Sequence, residues 1–124
     1  LEKLYDIKLD KEKCILYVNV NGKFEVDHSK LYISDFQTHV NTINPSVYTL
    51  IMDVNGQEAV DEEIIVDMVH VLNLYSSAKF RKTIAVQANC QLAQQQIEQV
   101  VMETKFAVTF VKTLKEAYNL INEQ

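Results

Sequence analysis

The sequence predicts a single α/β domain, residues 1–124, built on one mixed, mostly parallel sheet with an antiparallel N-terminal strand and the element order ββαβαβαβα. Three observations carry this. Two strand-like segments at the start are separated by only a short charged turn, the spacing of an antiparallel hairpin. Further along, apolar runs of strand length alternate with segments of helical period, the pattern of parallel strands joined by helical crossovers. Finally, 124 residues with two glycines and one proline leave room for one domain and little for linkers or long loops.

Residues 4–9 and 14–20 read as the opening hairpin, joined by Asp10-Lys11-Glu12-Lys13, and Asn21-Gly22 then breaks the pattern. From 28 to 43 the apolar positions Tyr32, Ile33, Phe36, Val40 and Ile43 follow a helical period. Asn44-Pro45 ends that helix, because proline disfavours the α region in the residue before it. Residues 47–54 (VYTLIMDV) are almost continuously apolar, as in a central strand covered on both faces. The second helix spans 61–76, with Ile64, Ile65, Met68, Val71, Leu72 and Tyr75 on one stripe. A short buried strand follows at 83–88, then a helix at 91–104 whose inward face is Leu92, Ala93, Ile97, Val100 and Val101. The last strand is 106–111. Thr113-Leu114-Lys115-Glu116 has the form of a capping box and opens a terminal helix with Leu114, Ala117, Tyr118 and Ile121 inward.

Charge and composition exclude several functions. A net charge of −5 argues against a general nucleic-acid binder, and the basic cluster Lys79-Phe80-Arg81-Lys82 reads as a solvated turn before a strand. No apolar run is long enough to cross a membrane, and no N-terminal stretch reads as a signal peptide. Cys14 and Cys90 form no paired motif; Cys14 falls in a strand-like run, where a thiol packs as a small buried hydrophobe. The expected location is the cytoplasm.

Chemistry-bearing motifs are missing. There is no GxGxxG, no P-loop and no nucleophile elbow. His28 and His39 share a predicted helix but stand about 16 Å apart along it, too far to ligate one ion. The three histidines read as surface residues, and no metal site is expected. Cys90, just before a helix, has the position but not the partner base of a nucleophile. The chain is expected to have no catalytic residues and no cofactor.

One stretch stands out, MDVNGQEAVDEEII, residues 52–65. It runs from a strand through an Asn-Gly turn into Asp61, Glu62 and Glu63, where a helix begins. A helix N-terminus carries partial positive charge, so Asp61 is a good N-cap and the two glutamates complement the dipole. The same acids neutralise the site and turn it away from phosphate. Adjacent carboxylates fan around a helix rather than converge, so they make no acid–base pair.

The whole pattern resembles a STAS domain, the fold of the bacterial anti-sigma-factor antagonists. The resemblance rests on the opening hairpin, VNGKFEVDHSKL leading into a helix, VYTLIMDV as the central strand, TIAVQA before the third helix, and the tail FAVTFVKTLKEAYNLI. Its more specific points are Gly22, Asp53 ending the third strand, and Glu116-Ala117. In these antagonists an Asp-Ser-Ser-Gly-Leu motif opens the next helix about eight positions after the acidic strand end. Its second serine is phosphorylated by a partner kinase that is also the anti-sigma factor, and phosphorylation switches binding off. Asp61-Glu62-Glu63-Ile64-Ile65 falls on that motif, with Glu63 at the phosphoserine position. Glutamate accepts no phosphate, so the resemblance implies a binding domain without that switch. It also implies that Ile64, in place of glycine, adds bulk where the partner approaches.

The function expected is therefore non-catalytic regulation through protein–protein contact, the partner being a protein, with a kinase-like anti-sigma factor as the candidate that the resemblance implies. The expected contact residues are Asp61, Glu62 and Glu63, the Asn55-Gly56 turn and the Asn21-Gly22 loop. The alternative is a small-molecule or lipid carrier on the same fold.

Overall fold

The computed structural model describes residues 2–122 and has the expected order, ββαβαβαβα. Strands β1 (Tyr5–Asp10) and β2 (Ile15–Gly22) form the antiparallel hairpin, Tyr5 opposite Val20 and Asp10 opposite Ile15. Strands β3 (Thr49–Gln57), β4 (Lys82–Val86) and β5 (Thr109–Val111) add in parallel, and the sheet runs in sequence order from β1 to β5. Helices α1 (Val26–Val40), α2 (Glu62–Ala78) and α3 (Gln91–Thr104) make the crossovers, and α4 (Leu114–Asn122) follows β5. When parallel strands follow one another in order and each crossover has the same hand, the crossover helices share one face of the sheet.

Side-chain alternation divides the core accordingly. Leu16, Val18, Leu50, Met52 and Ala85 face α1, α2 and α3, packing with Tyr32, Phe36, Ile64, Tyr75 and Ile97. Ile15, Ile51, Ile84, Val86 and Val111 point the other way and meet Leu114, Ala117, Leu120 and Ile121 of α4. In β3, neighbouring Leu50 and Ile51 both have 0% exposure, so the strand cannot alternate with polar residues.

Local details depart from expectation for identifiable reasons. α1 begins at Val26, because His28 accepts the Glu25 backbone N–H on Nδ1 at 3.0 Å and closes the first turn. His28 is buried, not a surface histidine. Cys14 is a half-buried turn residue with φ 56°, so β2 starts one residue later. Leu92 is 58% and Tyr118 36% exposed, because Ala93 and Ala117, both at 0%, are the residues their helices press onto the sheet. The last strand is shorter than 106–111: the Phe106 N–H bonds back to Val101 O at 3.3 Å and finishes α3. Half of the expected terminal capping box is present. The Glu116 N–H donates to Thr113 Oγ1 at 3.1 Å, while the Glu116 carboxylate accepts from the Lys112 N–H instead of from Thr113.

Candidate functional site

The residues singled out in the sequence meet at the carboxyl ends of β2 and β3. Neither Asn21-Gly22 nor Asn55-Gly56 is a free turn. Both lie at the ends of strands, with Asn21 paired to Gly56 and Gly22 to Gln57. The register slips between Asn19 and Asn21, as at a β-bulge, and carries the Asn21 side chain across Gly56. A Cβ on Gly56 would stand 2.1 Å from Asn21 Oδ1, so glycine leaves space for that side chain. Gly22 has φ 74°, and its carbonyl accepts the Glu58 N–H at 2.9 Å, holding the start of the β3–α2 connection. Gly22→Ala is expected to cost about 1–2 kcal/mol, the left-handed penalty of a Cβ. A lower urea midpoint at unchanged slope would show it.

Asp61 is the N-cap of α2 by backbone geometry, but its side chain makes no capping hydrogen bond. Its carboxylate pairs with the Lys23 ammonium at 3.2 Å. Lys23 directly follows Gly22, so the β2–β3 register delivers it to the start of α2. With the two side chains 49% and 66% exposed, the pair contributes about 0–1 kcal/mol and mainly sets an orientation. Glu62 and Glu63 are exposed in the first turn. Ile64 is not part of this surface, contrary to expectation. It is 2% exposed and packs in the core, because the stripe that buries Leu72 and Tyr75 also turns position 64 inward.

Two supports arise from contacts that the sequence reading did not give, and one of them involves Asp53, which lies within β3 rather than at its end because the strand runs on to Gln57. Gln96 of α3 accepts the Val60 N–H and donates to the Val60 carbonyl, both at 2.9 Å, pinning the connection into α2. On the α4 face, Asp53 accepts from Tyr17 OH at 2.8 Å and from the Asn55 N–H at 3.2 Å, while Asn55 Nδ2 donates to Gln87 O at 3.3 Å. Burial, and then the Asp53 carboxylate, push the Tyr17 phenol up to about 12.

Behind the edge, between the crossover helices and the sheet, lies an apolar cavity of about 100 Å³. The hydroxyls of Tyr32 and Tyr75, which line it, bond each other at 2.5 Å. Among the described residues no three His, Cys, Asp or Glu side chains gather as a metal site, and no helix is long and apolar enough to cross a membrane. Cys90 is the N-cap of α3, its sulfur accepting the Ala93 N–H at 3.5 Å.

No family model and no curated protein matches the sequence. Solved structures do match. An uncharacterized protein of the DUF3478 family from Shewanella loihica, with a SpoIIAA-like fold, gives a TM-score of 0.69 at 11% identity, over 94% of this chain and 91% of that one. An anti-sigma factor antagonist from Mycobacterium paratuberculosis gives 0.64 at 14% identity, over 96% of this chain and 95% of that one. At such identities the likeness is one of fold. The chain has the SpoIIAA-like α/β fold, which it shares with an anti-sigma factor antagonist over nearly its whole length.

Proposed function

We propose that this chain is a non-catalytic regulatory domain that binds a protein partner through the edge formed by Asp61, Glu62, Glu63, Asn55, Gly56, Asn21 and Gly22. The observation that carries this reading is the bulged pairing of Asn21 with Gly56, reinforced by the Lys23–Asp61 ion pair. Together they bring three separate segments of sequence onto one exposed edge. The shared fold with an anti-sigma factor antagonist supports the same class of function.

In this reading Glu63 occupies the antagonists' phosphoserine position. It presents one permanent charge where phosphoserine carries about −1.5 to −2, so binding is not switched by phosphorylation there. The acidic turn suits a basic protein face, such as that of a kinase-like anti-sigma factor, and association should slow as salt rises. The test is native mass spectrometry of the chain captured from its own cells, beside a Glu62→Lys/Glu63→Lys variant. A protein partner is expected with the wild type and not with the variant; equal retention would overturn the proposal.

A second reading, a carrier of a small apolar ligand, is favoured by one observation, the cavity between the helices and the sheet. It predicts a small molecule retained by both forms, with the acidic residues serving the helix alone.

A further inference from the structure

At the cavity behind the edge, packing and hydrogen bonding both leave something unused. Its walls are almost wholly apolar, among them Met52, Ile64, Met68 and Ile97, and its volume is about 100 Å³. Native interiors hold few voids larger than a water molecule. An apolar cavity of about 150 Å³ stays dry and takes up benzene, which scales here to roughly four or five non-hydrogen atoms. Half-buried Gln57, Asp67 and Met68 bring one end of the cavity near the surface, so entry does not require opening the sheet.

The lining contains a buried hydroxyl pair, besides Ser29 and the half-buried Gln57 and Asp67. Tyr32 is 4% and Tyr75 5% exposed, and their hydroxyls bond each other. Two hydroxyls carry two protons, and one mutual bond uses only one of them. Among the described residues neither hydroxyl has a further partner, so one donor is left over in the cavity wall. Burial raises both phenols well above the ordinary tyrosine value, so the pair keeps both protons at neutral pH. An anionic ligand fits poorly, because a neutral donor cannot offset the desolvation of a full charge and Asp67 lies in the same lining.

We propose that the cavity binds a small uncharged apolar molecule with a single hydrogen-bond acceptor, of the size and kind of a short-chain ketone, whose carbonyl accepts the spare tyrosine proton. This rests on the apolar-ligand reading above and adds the chemistry of the ligand.

The test is a titration of the methyl-labelled full chain by NMR, with 2-butanone and its hydrocarbon isostere 2-methyl-1-butene. Both should shift the methyl signals of Met52, Met68, Ile64 and Ile97 saturably. Tyr32→Phe/Tyr75→Phe removes both hydroxyls while keeping the ring shapes, a change expected to be nearly neutral for folding. It should bind the ketone about fivefold more weakly, the value of one net hydrogen bond, and the alkene as before. Tyr75→Phe alone leaves a free hydroxyl and should keep the ketone affinity. Ala85→Val, which adds bulk to the wall, should weaken both ligands. If the double variant binds the ketone unchanged, the tyrosine assignment is overturned while the cavity reading stands. If neither probe moves those methyls in the wild type, both are overturned.

Discussion

Phe36→Ala is expected to lower stability by about 3–5 kcal/mol and the melting temperature by roughly 10–20 °C. Phe36 is 1% exposed and is the largest of the fully buried side chains. Its ring lies 4.9 Å from Tyr75 in an edge-to-face contact, 5.9 Å from Tyr32 and 6.3 Å from Phe80. Truncation removes the transfer energy of the ring and opens a void among neighbours that cannot follow it inward, since Tyr32 and Tyr75 are tied to each other. A domain of this size has about 5–15 kcal/mol in total, so one substitution would consume a large fraction of it. Urea unfolding followed by circular dichroism measures the loss, with Phe36→Leu as a milder comparison. A loss below about 1.5 kcal/mol, the range of volume-conserving swaps, would mean that the aromatic cluster closes over the gap.

The fold was legible because it depends on periodicity, which is local. β3 shows an apolar run because Leu50 and Ile51 are covered from opposite faces, and α2 shows a stripe because only one face meets the sheet. Errors came where a local rule met a distant partner. Asn21-Gly22 and Asn55-Gly56 both have turn chemistry, yet each lies in a strand because the other is beside it. His28 looks like a surface residue from its neighbours, but its ring serves the helix start and stacks near Phe24 at 5.7 Å.

Less of the candidate site could be read in this way. The acids at 61–63 announce a helix start, and the structure places one there. That Asp61 turns to Lys23 depends on strand register, which no local pattern encodes. Gln96 reaches Val60 across 36 positions from a helix rich in glutamine, where nothing distinguishes it from its solvated neighbours. Tyr32 and Tyr75 were legible as apolar stripe members, but their hydroxyl pairing across 43 positions was not. Polar residues that work through long-range geometry carry no sequence period of their own.

Those tyrosines make the protein sensitive to alkali. Raising the pH above about 10 is expected to unfold it cooperatively, because the unfolded chain releases its phenolic protons there while the folded chain holds them. Burial raises Tyr32 and Tyr75 well above the ordinary value, with Tyr75 adding to the rise at Tyr32. Tyr5 is raised by burial and then by its bond to Asp35, and Tyr17 reaches about 12. A folded state that binds more protons than the unfolded state loses stability as pH rises. The contribution is therefore complete below about pH 10 and disappears as the pH climbs from 10 through the folded values. Each fully buried phenol removes about 1.4 kcal/mol per pH unit, so Tyr32 and Tyr75 together remove roughly 3 kcal/mol by about pH 11. Tyr17, only half-buried, adds a smaller share up to about 12. The tyrosinate absorbance that the wild type shows in excess of the Tyr32→Phe/Tyr75→Phe variant should appear together with the loss of circular dichroism, and that variant should unfold at higher pH. If the absorbance that the wild type shows in excess of that variant rises near pH 10 with the circular dichroism intact, the buried phenols ionise within the folded state. The hydroxyl pair would then not be sealed as its burial requires, and its spare proton would already be answered by water.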